Sequence, residues 1–243
     1  MSKQLQTLVL KKEGIEKKAR IRQIIFGMQD GLISIVSLMA GIAGATGDNA
    51  IIILTGITAA IAGALSMGTG EYLSAKSEKE IFDFERNDAD NLISNQPHIA
   101  QEGILESLVQ DGLARESAYK VVEKLSEQER IFRSTFAEKV LGIGEAEVVQ
   151  PLRGALVIAL AFILASIVPI LPYILFTETI GIIFSILLTA VALFVIGALK
   201  GKFAGLNIWI SGLEFFVIAL SSAIIGFFIG DLLFQDLFAN SIS

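Results

Sequence analysis

Apolar residues fall into five blocks, at about residues 23–45, 50–70, 152–176, 179–199 and 213–234. Each is close to the ~20 residues that an α-helix needs to cross a bilayer core. The first block, QIIFGMQDGLISIVSLMAGIAGA, carries a single charge, Asp30. A very short turn, TGDNA, leads into the second. Pro151 opens the third block, a position where proline suits a helix start. Pro169 and Pro172 predict a kink or an end near the far side of that helix.

Between the second and third blocks the pattern changes. Residues 72–150 hold 16 acidic and nine basic side chains and no apolar run long enough to span. The second helix is predicted to continue out of the bilayer, because EYLSAKSEKEIFDFERNDADN meets no Gly or Pro before Pro97. Helices are then expected at about 99–111, ended by Gly112, at 115–126, and at 127–141, ended by Gly142. There is no strand pattern and no internal repeat. The expected fold is an all-α membrane protein of five transmembrane helices, with a cytoplasmic helical insertion between the second and third. The implied organisation is a cytoplasmic N-terminal segment (1–22), two spans (23–70), an acidic domain that resembles a metal-binding module (71–150), three spans (151–236) and a non-cytoplasmic tail (237–243).

Charge supplies the orientation. With five spans, all 19 Lys and Arg fall on one side: before the first span, within 72–150, at Arg153, and at Lys200 and Lys202 in the 200–212 loop. Basic residues face the cytoplasm, so the N-terminus is cytoplasmic and the C-terminus faces out. The first 22 residues are polar and basic, without the apolar core of a cleavable signal.

Composition narrows the chemistry. Cysteine is absent, which removes disulfides, zinc-thiolate sites and a cysteine nucleophile. One histidine, His98, cannot supply a histidine metal cluster, a Ser-His-Asp triad or the paired Glu-x-x-His motifs of a di-iron oxidase. An enzyme is not expected, nucleic acid is an improbable partner, and no permanently bound cofactor is implied.

Asp30 is the sharpest single signal. A carboxylate inside a span is costly, so it normally faces the bundle interior and marks an ion path. The bland reading is a capped or water-exposed carboxylate near the interface. From a helix start near Gln23, Asp30 lies roughly 10 Å inside the cytoplasmic edge. Met67, on the antiparallel second span, lies roughly 5 Å inside the same edge, with Glu71 beside it. A thioether next to a carboxylate offers one soft and one hard ligand, a mixture that suits Fe(II) better than Mg or Ca. Taken alone, a methionine in a span is usually apolar packing.

On a helix continuing from the second span, Glu71, Glu78 and Glu85 form one acidic stripe, with Asp88 about 60° away. Glu102 and Glu106 make an i, i+4 pair on the next helix, and Glu138 sits on the last. Carboxylates from several packed helices are how bundles build metal sites; a solvated charged face is the alternative for each. Gly41 with Ala45, and Ala60, Ala64 and Gly68, have small-xxx-small spacing that suits close helix approach or dimerisation.

QDGLISIVSLMAGIAGA in the first span and AGALSMGTGEYLSAKSEKE in the second resemble the vacuolar iron transporter family, which includes yeast and plant proteins and many prokaryotic relatives. VPILPYIL and ALFVIGALKGKFAG, farther along, look like the same family. The resemblance runs over nearly the whole chain from about Arg20. It implies export of Fe(II), sometimes Mn(II), from the cytoplasm by proton antiport, with the metal as substrate, and a homodimer whose pore lies between subunits. Asp30 matches the family's aspartate in its DGL motif; Met67 and Glu71 match the methionine and glutamate of its SM-x-x-GEY motif. The insertion departs from the pattern. After Glu85 the chain reads RNDADNLISNQ, with aspartates where a glutamate-rich run is typical, and residues 72–150 contain no methionine. Glu102, Glu106 and Glu138 sit at places equivalent to the family's metal-binding glutamates. The expected partners are the bilayer, a second copy, metal ions and protons, and the resemblance implies the cell membrane as host in a prokaryote and the vacuolar membrane in a eukaryote. The rival function is a non-transporting membrane metal sensor, which a flux measurement would separate from a transporter.

Overall fold

A computed structural model of the chain describes residues 3–142, 150–176 and 178–234. The expected tail, 237–243, lies outside them. The described residues form eight helices and no strand: α1 (Lys3–Thr46), α2 (Asn49–Asn95), α3 (Pro97–Gln110), α4 (Arg115–Ser126), α5 (Glu129–Lys139), α6 (Pro151–Leu175), α7 (Glu178–Ala204) and α8 (Ile208–Phe234). Five stretches are long and apolar enough to cross a membrane: Ile21–Thr46 in α1, the apolar part of α2, α6, Thr179–Ala204 in α7 and Ile208–Leu232 in α8. The chain divides into two units, Met1–Tyr72 with Leu152–Ser243, and Leu73–Pro151.

The first unit is built around α1. One buried cluster joins Ile35, Met39 and Ala43 of α1 to Ile52, Ala60 and Ala64 of α2 and to Phe162, Ile170 and Tyr173 of α6. A second joins Leu32 of α1 and Ala165 of α6 to Ala190, Leu193 and Ile196 of α7 and to Phe215 and Ala219 of α8. In lipid, where apolar burial gives no drive for helices to associate, close backbone approach supplies the packing energy. A Cβ on Gly31 would lie 2.6 Å from the carbonyl oxygen of Phe162. On α8, Gly226 and Gly230 press against the backbones of Ser37 and Gly41 too closely for any Cβ. Gly41, Ala60, Ala64 and Gly68 therefore all pack within the chain, Gly68 against Ala155 and Ala159 of α6.

The helix α6 runs through Pro169 and Pro172 and ends at Leu175, near its far side as expected. Neighbouring helices bond carbonyls of this last part of α6: Ser185 Oγ donates to the carbonyl of Pro169 at 2.7 Å. The Asn49 amide donates to the carbonyls of Tyr173 (2.7 Å) and Phe176 (3.1 Å). One expectation is corrected: the 200–212 loop shrinks to 205–207, so Lys200 and Lys202 lie on α7. Gly205, at φ 73°, closes α7 by letting Leu206 N–H reach back to the carbonyl of Gly201 at 2.8 Å. Asn207 then caps α8, its Oδ1 accepting from Trp209 N–H at 3.0 Å and Ile210 N–H at 3.3 Å.

In the second unit, the end of α2 packs with α3, α4 and α5. Ala89 and Ile93 meet Ala100, Ile104 and Leu105, Ala118 and Val122, and Phe132 and Phe136. Gly112, at φ 98°, ends α3 as the sequence predicts. Arg133 of α5 ties back to Asp90 of α2 at 2.5 Å.

Candidate functional site

On α1, Gln23, Gly27, Asp30 and Ser34 recur at intervals of three and four and so share one helix face. Gly27 lets that face approach α6, since a Cβ there would lie 2.7 Å from the carbonyl oxygen of Ile158. On α2, Ala64, Met67 and Glu71 recur in the same way, with Gly68 against α6. The two faces meet at Gln23, whose amide nitrogen donates to Glu71 Oε1 at 2.6 Å. Gly154, near the start of α6, leaves room for this pair: a Cβ there would lie 3.1 Å from Glu71 Oε1 and 3.2 Å from Gln23 Nε2.

The helices run antiparallel, so depth can be counted from this contact. Met67 lies about 6 Å and Asp30 about 10 Å deeper than the Gln23–Glu71 level. Asp30 is half-buried and accepts a hydrogen bond from Ser34 Oγ at 3.0 Å. Met67 is half-buried against the α1–α2–α6 core cluster. A carboxylate, a thioether and a second carboxylate thus follow one another from the end of α2's apolar stretch into the bundle. Sequence pattern misses Gln23 and Gly154. The one signal for Gln23 is its position seven residues before Asp30, on the same face.

The second unit presents its carboxylates differently. Glu78 and Asp88 are exposed and Glu85 half-buried on α2, and Glu138 is exposed on α5. Among the described residues, no three His, Cys, Asp or Glu side chains gather as a metal-binding group. Glu102 and Glu106 do come together, and what joins them is a cation of the chain itself. Arg115, the first residue of α4, donates to Glu102 Oε1 at 2.7 Å and to Glu106 Oε1 at 2.6 Å. The hydrogen bond and charge of Glu106, with those of Glu102, raise the Arg115 pKa above its ordinary value. His98, Glu102 and Glu106 line one shallow cleft of about 490 Å³ on α3. Sequence pattern misses Arg115 as well, since it is one of several arginines in a charged segment.

The profile of the VIT family matches residues 21–231. Vacuolar iron transporter 1 of Tulipa gesneriana is 36% identical over 206 residues, covering 84% of this chain and 83% of the relative. Vacuolar iron transporter 2 of Oryza sativa subsp. japonica is 34% identical over the same shares. Protein CCC1 of Saccharomyces cerevisiae is 29% identical over 75% of this chain and 57% of the relative. These relatives correct one expectation, the direction given as export of divalent metal from the cytoplasm. The names of the two plant relatives carry iron as the metal and the vacuole as the compartment, so metal transport stands while export from the cytoplasm is withdrawn. A multi-pass helical membrane protein matched along its spans to these transporters, this chain belongs to the VIT family.

Proposed function

We propose that this chain transports iron across its membrane along the α1–α2 face that carries Glu71, Met67 and Asp30. The observation that carries the reading is the order of these side chains: a carboxylate held by Gln23, then a half-buried thioether, then a half-buried carboxylate inside a span. Oxygen ligands alone would suit Mg or Ca; the sulfur between them favours a borderline ion such as Fe(II), with Mn(II) as the harder competitor. The metal is substrate, and the reading needs no resident cofactor.

A homodimer belongs to this proposal. One chain offers Asp30 and Met67 at the inner level, fewer ligands than a divalent transition ion takes. A second copy presenting the same two side chains would double the set. The basic end of the bundle is read as cytoplasmic. The carboxylates of the second unit are read as a weak cation-collecting surface, which raises local metal concentration without a tight site.

The test is iron flux in proteoliposomes holding the full chain. The wild type should move Fe(II), and Asp30→Asn, which keeps shape and removes charge, should not. A wild type that binds iron without moving it would be a sensor, and the proposal would fall.

A further inference from the structure

At the polar end of the first unit, a cleft of about 350 Å³ opens between α1 and α7. Arg22 and Gln29 of α1 and Lys200 of α7 line it together with Ile25, Phe26 and Phe203. We propose that this cleft is a binding site for one anionic phospholipid, its phosphate held between Arg22 and Lys200 and its acyl chain lying on the apolar wall.

Three observations carry this. The first is charge. Neither Arg22 nor Lys200 forms an ion pair among the described residues, whereas most basic residues of the second unit have a carboxylate partner. Lys200 is half-buried, with Nζ 4.9 Å from the centre of the Phe215 ring, so its ammonium is held in place without being neutralised. Two cations facing one cleft, with no acidic side chain among its described lining residues, form a site short of a negative charge, and paired cations between transmembrane helices are a recurring headgroup site.

The second is level. The apolar runs in α1 and α7 cover about residues 23–45 and 179–199, so Arg22 and Lys200 flank the same polar end of both. Lys200 lies about 6 Å inside the α7 end, a depth from which its stem carries the ammonium back to the headgroup layer. Trp209, 70% exposed at the start of α8, marks the same layer, where indole rings collect.

The third is the wall. Phe26 and Phe203 are 57% and 42% exposed beside the cations. Free phosphate would gain nothing from them, while a lipid tail lies against them. This separates a phospholipid from a soluble anion of the same headgroup chemistry.

The experiment uses the full chain in nanodiscs and reads lipid retention by native mass spectrometry through graded delipidation. The wild type should keep one phosphatidylglycerol per chain and no phosphatidylcholine. Arg22→Gln with Lys200→Gln should weaken retention about thirtyfold, and Arg22→Gln alone about fivefold. Lys202→Gln, which lies outside the cleft, should change nothing. Arg22→Lys with Lys200→Arg keeps both charges and should retain the lipid, which separates loss of charge from loss of fold. Equal retention of phosphatidylcholine, unchanged retention in the Arg22→Gln single variant, or displacement of the lipid by inorganic phosphate would each overturn the proposal.

Discussion

Gln23 on the first span donates its amide hydrogen to the carboxylate of Glu71 on the second, at 2.6 Å, across 48 residues of sequence. The contact fixes the register of the two helices that carry the proposed pathway, and it gives a half-buried carboxylate its donor. A hydrogen bond to a charged group contributes about 1.5–3 kcal/mol, and removing the donor leaves Glu71 with the desolvation cost. Gln23→Leu should therefore lower the Tm of the purified chain by several degrees, and Gln23→Leu with Glu71→Leu should recover most of that loss. Additive losses in the double variant would mean that the two side chains do not depend on each other.

Close helix approach gives a second prediction. A methyl group at Gly31 would meet the backbone oxygen of Phe162 at 2.6 Å, and backbone cannot step aside as a side chain can. Gly31→Ala should cost about 1–3 kcal/mol of stability. A methyl group at Gly70, on α2, would meet nothing within 4 Å, so Gly70→Ala should be neutral or slightly stabilising. Thermal unfolding of the two variants side by side decides it, and equal shifts would refute the packing argument.

The features legible in the sequence are those written in local pattern. Five apolar blocks mark the spans, the absence of Gly or Pro before Pro97 marks the long α2, and Gly112 marks the end of α3. Asp30 stands out because a charge in a span is rare. What stays hidden depends on distant partners. The bonds that Ser185 and Asn49 give to the end of α6 come from other helices. The length of α7 turns on Gly205 and Asn207, whose cap and turn bonds outweigh the two lysines that make 200–212 look like loop. The engagement of Glu102 and Glu106 by Arg115 spans nine residues or more across two helices, beyond any i, i+4 rule.

That Arg115 contact gives a third prediction. A divalent ion approaching Glu102 and Glu106 must displace a guanidinium already bridging them. Arg115→Gln should strengthen Mn(II) binding by the full chain several-fold in calorimetric titration, and Glu102→Gln with Glu106→Gln added should cancel the gain. Identical titrations for wild type and Arg115→Gln would place these carboxylates on an ordinary solvated face.

Topology gives a fourth. The turn between α1 and α2 and the turn between α4 and α5 are expected on opposite sides of the membrane. Asn49 supports the end of α6 and is a poor site for a probe, whereas Ala50 is exposed. Ala50→Cys should react with an impermeant maleimide from outside, and Gln128→Cys only after permeabilisation. Labelling of both in intact cells would break the five-span arrangement.

The last prediction separates the roles of Asp30, Ser34 and Met67. In the proposed pathway Asp30 carries the charge that an arriving cation meets inside the span, and Ser34 only orients it, through one hydrogen bond of 3.0 Å. Asp30→Asn should abolish Fe(II) flux with expression and Tm unchanged. Ser34→Ala should leave the charge in place and slow flux about tenfold without abolishing it, since it removes one hydrogen bond to a charged group, about 1.5 kcal/mol, and not the charge itself. Met67→Leu keeps the volume of the side chain and its packing against the α1–α2–α6 cluster but removes the sulfur. It should therefore leave stability alone and reduce Fe(II) transport more than Mn(II) transport, because the harder ion relies less on a thioether. Competition flux with both metals in one vesicle preparation reads this ratio directly. An unchanged Fe/Mn ratio in a well-folded Met67→Leu protein would return Met67 to the role of core packing and leave Asp30 and Glu71 as the ligands of the path.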